Sequence, residues 1–111
     1  MKEKVRKWLL DLLAAADQIE SFVDGMTFGS YVEDAKTQRA VEMDFLIIGE
    51  TLIRIRDADL SVLNKVSHHN DIIGFRNILA HGYDQIDDRV VWNAVTRYLP
   101  VLKKEVLQLT V

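Results

Sequence analysis

Asp34-Ala35-Lys36-Thr37-Gln38-Arg39-Ala40-Val41-Glu42-Met43-Asp44-Phe45-Leu46-Ile47-Ile48-Gly49-Glu50-Thr51-Leu52-Ile53-Arg54-Ile55-Arg56 is the stretch that decides the fold. Val41, Phe45, Ile48, Leu52 and Ile55 recur in alternating steps of four and three, the spacing that lines one face of an α-helix. Met43, Leu46, Ile47 and Ile53 widen the apolar surface beyond that stripe. A helix so broadly apolar must bury more than one side, which one small bundle rarely arranges, so an oligomeric face is expected. The helix is predicted from about Asp34 to Arg56.

The same period extends outward in both directions. Upstream, Val5, Trp8, Leu9, Leu12, Leu13, Ala16, Ile19, Phe22 and Val23 describe one long amphipathic helix, with Gly25 just past its end. Thr27 is placed to cap a short following turn. Downstream, Asp59 can cap a short helix through Leu60, Leu63 and Val66. His68-His69-Asn70-Asp71 makes a polar break, and Asn70 or Asp71 can cap a helix that runs to about His81 and stops at Gly82. Tyr83 to Asp88 reads as a loop. Asp87 or Asp88 caps a last helix that turns Val91, Val95, Tyr98, Leu102, Val106 and Leu109 inward. Pro100 lies inside it, which predicts a kink or restart. No stretch alternates with period two for long enough to build a sheet. The expected architecture is all-α: an antiparallel four-helix up-down bundle with short extra helices, in one domain over residues 1–111.

Composition narrows the function. The chain of 111 residues is 49% hydrophobic and 28% charged, enough for one core. A net charge of −3 argues against a broadly basic nucleic-acid binder, though it does not set the sign of one cleft. There is no cysteine, which excludes disulfides, thiol chemistry and thiolate zinc sites. The apolar run Leu9 to Ala16 is interrupted by Asp11 and is too short for a membrane span or a convincing leader. A soluble, cytoplasmic protein is expected.

Chemistry concentrates in Arg76-Asn77-Ile78-Leu79-Ala80-His81-Gly82-Tyr83. Asn77 and His81 are one helical turn apart and share a stripe, with Arg76 beside it; Ile72, Phe75, Ile78 and Leu79 can face the core. Arginine offers a planar fork of donors that matches phosphate oxygens. Histidine is the side chain whose unperturbed pKa lies nearest neutrality, so it can give or take a proton. Together they suit cleavage of RNA by its own 2′-hydroxyl. One group removes the 2′ proton, another protonates the leaving 5′ oxygen, and a cation steadies the crowded phosphorane. No metal or other cofactor is called for, because the nucleophile is already in the substrate. One chain supplies one motif histidine, whereas a two-fold dimer would bring two His81 and two Arg76 to one cleft.

Plainer uses of these residues stand beside that reading. Cations favour the last turn of a helix, so Arg76 and His81 also suit surface or capping roles. Tyr83 alone reads as a packed loop aromatic. His68 and His69, being adjacent, point apart and read as solvated linker residues. Glu42, Asp44 and Glu50 do not repeat a Glu-x-x-His spacing, which argues against a metal site. Glu50, on an otherwise apolar helix, either pairs with an arginine such as Arg76 or faces water.

The motif resembles the Arg-x4-His-x-Tyr signature of HEPN-domain toxins of the HepT type. Thr37 to Glu42 with Ile47-Ile48-Gly49-Glu50 is similar to that family's second-helix pattern. Asp71 to Phe75 resembles its lead-in, Tyr83 to Asp87 its exit, and Val91-Trp92 with Leu99-Pro100 its last helix. The resemblance implies a HEPN-like α-helical homodimer whose paired motifs form a metal-independent endoribonuclease. It implies a toxin role in a toxin–antitoxin system of the HEPN/MNT class, with Arg76 and His81 catalytic and Asn77 orienting. It further implies an antitoxin partner, a minimal nucleotidyltransferase of the MntA type that transfers AMP from ATP to Tyr83. The substrate would be RNA, with tRNA as the family-level example. A different class of function shares the same fold: a non-catalytic subunit that docks on a nucleotidyltransferase or presents substrates to it.

Overall fold

The computed structural model describes residues 1–111, and its regular structure is helical throughout. In chain order the elements are α1 (Glu3–Phe22), α2 (Phe28–Val32), α3 (Ala35–Ala58), α4 (Leu60–Leu63), α5 (His69–His81), α6 (Asp88–Asn93) and α7 (Leu99–Thr110). A 3-10 turn at Tyr83–Gln85 follows α5, and a π turn at Ala94–Tyr98 joins α6 to α7. α1, α3, α5 and the α6–α7 arm are the four members of the bundle. No helix is long and apolar enough to cross a membrane.

The expected stripe is the inner face of α3. Val41, Ile48, Leu52 and Ile55 are fully buried and Phe45 nearly so. Val5, Leu9, Leu12 and Ile19 of α1 meet them, with Leu99, Leu102 and Val106 of α7 closing the core. Each such side chain contributes roughly 1.5–3 kcal/mol on leaving water. Lys103 ties α7 to α1 through Asp17 and Glu20, at 2.7 and 2.6 Å.

Local chemistry sets the helix ends. Gly25 takes a φ of +75° after α1, a left-handed turn that a side chain would strain. Thr27 and Ser30 form a reciprocal capping box on α2. Asp34 accepts from the Thr37 amide at 3.0 Å at the start of α3. Asp59 accepts from the Val62 amide, and Asp87 from that of Arg89.

The motif helix starts differently from the expectation. Neither Asn70 nor Asp71 caps it. α5 begins at His69, and His68 precedes it with a φ of +63° and no side-chain cap. The His68 ring packs on Tyr98, centroids 4.9 Å apart, and Ser67 donates through its amide and hydroxyl to Glu105 of α7. Tertiary contacts with the last helix thus hold a backbone conformation that local propensity would not choose. His69 is not a solvated linker residue either: it belongs to α5, and its Nδ1 is buried without a partner. The Tyr83–Asp88 connection contains the 3-10 turn rather than being wholly irregular.

The disruption expected at Pro100 appears as the π turn just before it. Proline lacks the N–H that would reach the carbonyl four residues back, and its ring crowds that carbonyl. The wider turn absorbs the misfit while Val91, Val95, Leu99 and Leu102 all stay buried.

Candidate functional site

α5 lies on α3 along a close seam. Phe75 meets Phe45 edge-on with ring centroids 5.4 Å apart, and Ile72 is buried below. One turn further along, Gly49 lies directly under Arg76. A Cβ added at Gly49 would overlap the Arg76 Cβ and fall 2.6 Å from its Cγ. Only glycine allows the two helices to approach this closely. The contact sets where the Arg76 side chain leaves the bundle.

From that point the arginine has defined partners. Its side chain is 21% exposed, and its Nη2 donates to Glu50 Oε1. Nη1 donates to Asn77 Oδ1 at 2.9 Å. Nε is buried and has no partner. Of the two alternatives for Glu50, the ion pair with Arg76 is the one formed, and Asn77 holds the other side of the guanidinium. His81 lies five residues on, at the last position of α5, exposed and without a side-chain hydrogen bond. Tyr83 follows on the 3-10 turn with 77% of its surface exposed. The structure therefore combines a positioned cation, a free imidazole and an accessible phenol within one short segment.

Ile78 departs from the expected pattern. It does not face the core but is 42% exposed. Met43 and Ile47 of α3 are exposed as well. All three lie on the helices that carry the Arg76–Glu50 pair. The other carboxylates of α3 have separate roles. Asp44 is buried against α1, where the Gln18 amide, turned to donate, lies 2.7 and 3.0 Å from its oxygens. Burial holds the Asp44 carboxyl above its usual value. Glu42 is raised by burial too, opposed by the Arg39 guanidinium that donates to both its oxygens at 2.8 and 3.1 Å.

Sequence reasoning passed over Arg39. The spacing to Glu42 was the available signal, since residues three apart on a helix are neighbours. Arg39 and Glu42 share a groove with Tyr83, bounded also by Leu79 and Ile86. A larger cavity of about 560 Å3 opens between α3, α5 and the α6–α7 arm, walled by Phe45, Ile72, Phe75, Tyr98 and Leu102 among others. None of the motif residues Arg76, His81 and Tyr83 lines it.

With this geometry in place, comparison with known proteins is decisive. A family model described as "Ribonuclease HepT-like" matches residues 12–109, which takes in the whole of α3 and α5. The chain belongs to the HepT-like ribonuclease family. Among HepT-like relatives, "Probable ribonuclease HepT" of Thermococcus cleftensis is 33% identical over 103 residues, covering 93% of each chain. "Putative RNase MJ1380" of Methanocaldococcus jannaschii is 30% identical over 105 residues, 95% of each chain. A second protein of that organism, "Putative RNase MJ0127", is also 30% identical, over 95% of this chain and 86% of its own. No solved structure matches this HepT-like chain.

Proposed function

We propose that this HepT-like protein is a metal-independent endoribonuclease and the toxin of a HEPN/MNT toxin–antitoxin pair. One observation carries the reading. Glu50 and Asn77 hold the Arg76 guanidinium at a fixed place, while the same helix ends in an exposed, unengaged His81. A structural arginine would need its partners, but it would not need an unengaged imidazole five residues further along the same helix. Arg76 would neutralise the scissile phosphate. The 2′ oxygen attacks phosphorus as its proton is removed, the bond to the 5′ oxygen breaks, and that oxygen takes up a proton. The products are a 2′,3′-cyclic phosphate and a 5′-hydroxyl.

Acid and base are both required, and a homodimer would supply a His81 for each. The exposed Ile47 and Ile78, on the two helices that carry the Arg76–Glu50 pair, support such a pairing. Control would come through Tyr83. Its phenol oxygen attacks the α-phosphorus of ATP held by an MntA-type nucleotidyltransferase, pyrophosphate leaves, and the phenolic proton is released. The exposed position of Tyr83 supports access by another protein, and the attached phosphate would add charge beside the cleft.

The purified protein, incubated with RNA in the presence of a chelator, should yield fragments ending in 2′,3′-cyclic phosphate. His81→Ala should lower the rate by at least about 100-fold. Because His81 is exposed and unbonded, thermal stability should not change. If wild type and His81→Ala behave alike on RNA, the ribonuclease reading fails.

A further inference from the structure

The groove beside Tyr83 has no role in the cleavage chemistry described above. Its volume is about 380 Å3, at the lower end of the roughly 300–1,000 Å3 typical of small-molecule sites. Met43 and Leu46 of α3, Leu79 of α5 and Ile86 give it an apolar lining, and Tyr83 stands at its border. Arg39 supplies the one positive charge among its lining residues. That guanidinium donates to Glu42 through Nη1 alone, and Arg39 makes no other side-chain hydrogen bond. Glu42 is almost wholly buried, whereas the Arg39 side chain is 71% exposed. The buried carboxylate thus anchors one nitrogen of the fork and leaves the other two without a partner.

We propose that this groove receives the nucleotide attached to Tyr83, with Arg39 holding the phosphodiester and the base lying on Met43, Leu46 and Leu79. The inference rests on the reading of Tyr83 as the acceptor of AMP. The chemistry fits part by part. A tyrosyl phosphodiester carries one negative charge and two free oxygens, which suits the unspent side of a guanidinium. A purine presents an apolar face, which suits a lining of methionine and leucine. Tethering favours the arrangement: a short link supplies an effective concentration on the order of millimolar, so weak intrinsic affinity fills the site. Glu42 is the positioning residue, since it fixes Arg39 from beneath while itself remaining buried. The modification would then do more than add charge. It would fold back, cover the apolar rim next to the motif, and resist removal.

Two measurements test the groove separately from the modification. Free 5′-AMP is titrated into the unmodified protein while methyl resonances of Met43, Leu46 and Leu79 are followed by NMR. These should shift at millimolar AMP, more than with adenosine, and the response should weaken in Arg39→Ala and be partly retained in Arg39→Lys. Next, Tyr83 is labelled with the cognate nucleotidyltransferase and ATP, and release of AMP by a phosphodiesterase is timed. Arg39→Ala should speed release by about fivefold, the scale expected for losing one exposed ion pair, and Met43→Glu, which adds a like charge beside the phosphodiester, should speed it as well. Unshifted methyls together with equal release rates overturn the proposal. It is equally overturned if Arg39→Ala weakens RNA binding by the His81→Ala protein and leaves release unchanged, since the groove then belongs to the substrate path. Absence of any label on Tyr83, with AMP still shifting the groove, would refute the modification reading while upholding the nucleotide site.

Discussion

Replacing Gly49 by alanine adds a single methyl group at the tightest point of the molecule. The new Cβ would overlap the Arg76 Cβ and lie 2.6 Å from its Cγ and 3.6 Å from its Cα. Both helices must move apart, because two of the atoms involved are rigidly attached to backbone. Overpacking of this kind costs about 1–3 kcal/mol, and the severity of the overlap places this case at the upper end. Alanine is the better helix former by about 1 kcal/mol, which offsets part of the loss. The net destabilisation is about 2 kcal/mol, or a fall in Tm of roughly 9 °C for a domain of 111 residues. Moving Arg76 also breaks its alignment with Glu50, so RNA cleavage at a temperature where the variant is folded should drop by at least about 10-fold. Arg76→Ala should not rescue stability, as alanine keeps the offending Cβ. Thermal unfolding by circular dichroism and cleavage of a labelled RNA at 25 °C measure the two effects. An alanine variant as stable as wild type and fully active would show that the α3–α5 seam is looser than described and that the place of Arg76 does not depend on it.

Ile47→Glu should convert a dimer to a species near 12.8 kDa by light scattering and abolish cleavage without lowering Tm by more than a few degrees, because Ile47 is 41% exposed in the single chain. Asp44→Asn should stabilise the protein above neutral pH. Burial raises the carboxyl, so its ionised form is a cost in the folded state that disappears as pH falls through the raised value; the advantage of asparagine should therefore shrink on acidification. Asp34→Ala should lower stability near pH 7 by removing the α3 cap. Hydrogen bonds from Thr37 lower that carboxyl, so its contribution is present above the ordinary carboxylate range and fades as pH drops through the lowered value, and wild type and variant should converge in acid denaturation curves.

The long helices were legible because their apolar residues repeat at the helical period and their caps are local. Val41 to Ile55 needed nothing beyond spacing, and Thr27, Asp34 and Asp59 act within three residues of themselves. The partnership of Glu50 was legible only as one of two alternatives, since a carboxylate on so apolar a stretch must face water or find a cation. What could not be read depended on contacts distant in sequence. His68 enters the left-handed region because Tyr98 and Glu105 hold that turn, 30 or more residues away. The exposure of Ile78 depends on which face of α5 meets α3 at Phe45, Gly49 and Glu50, which the spacing along α5 alone does not give. Arg39 was not legible as a site residue because it shares its groove with Tyr83, which no spacing rule connects to it.

The cavity between α5 and the α6–α7 arm leaves the motif helix fastened to that arm only at its base, through His68 and Ser67, and along its length to α3, through Phe45, Gly49 and Glu50. Such a helix behaves as a cantilever. A load on its free flank, from a wedge of apolar material in the cavity, would be delivered at the far tip where His81 sits.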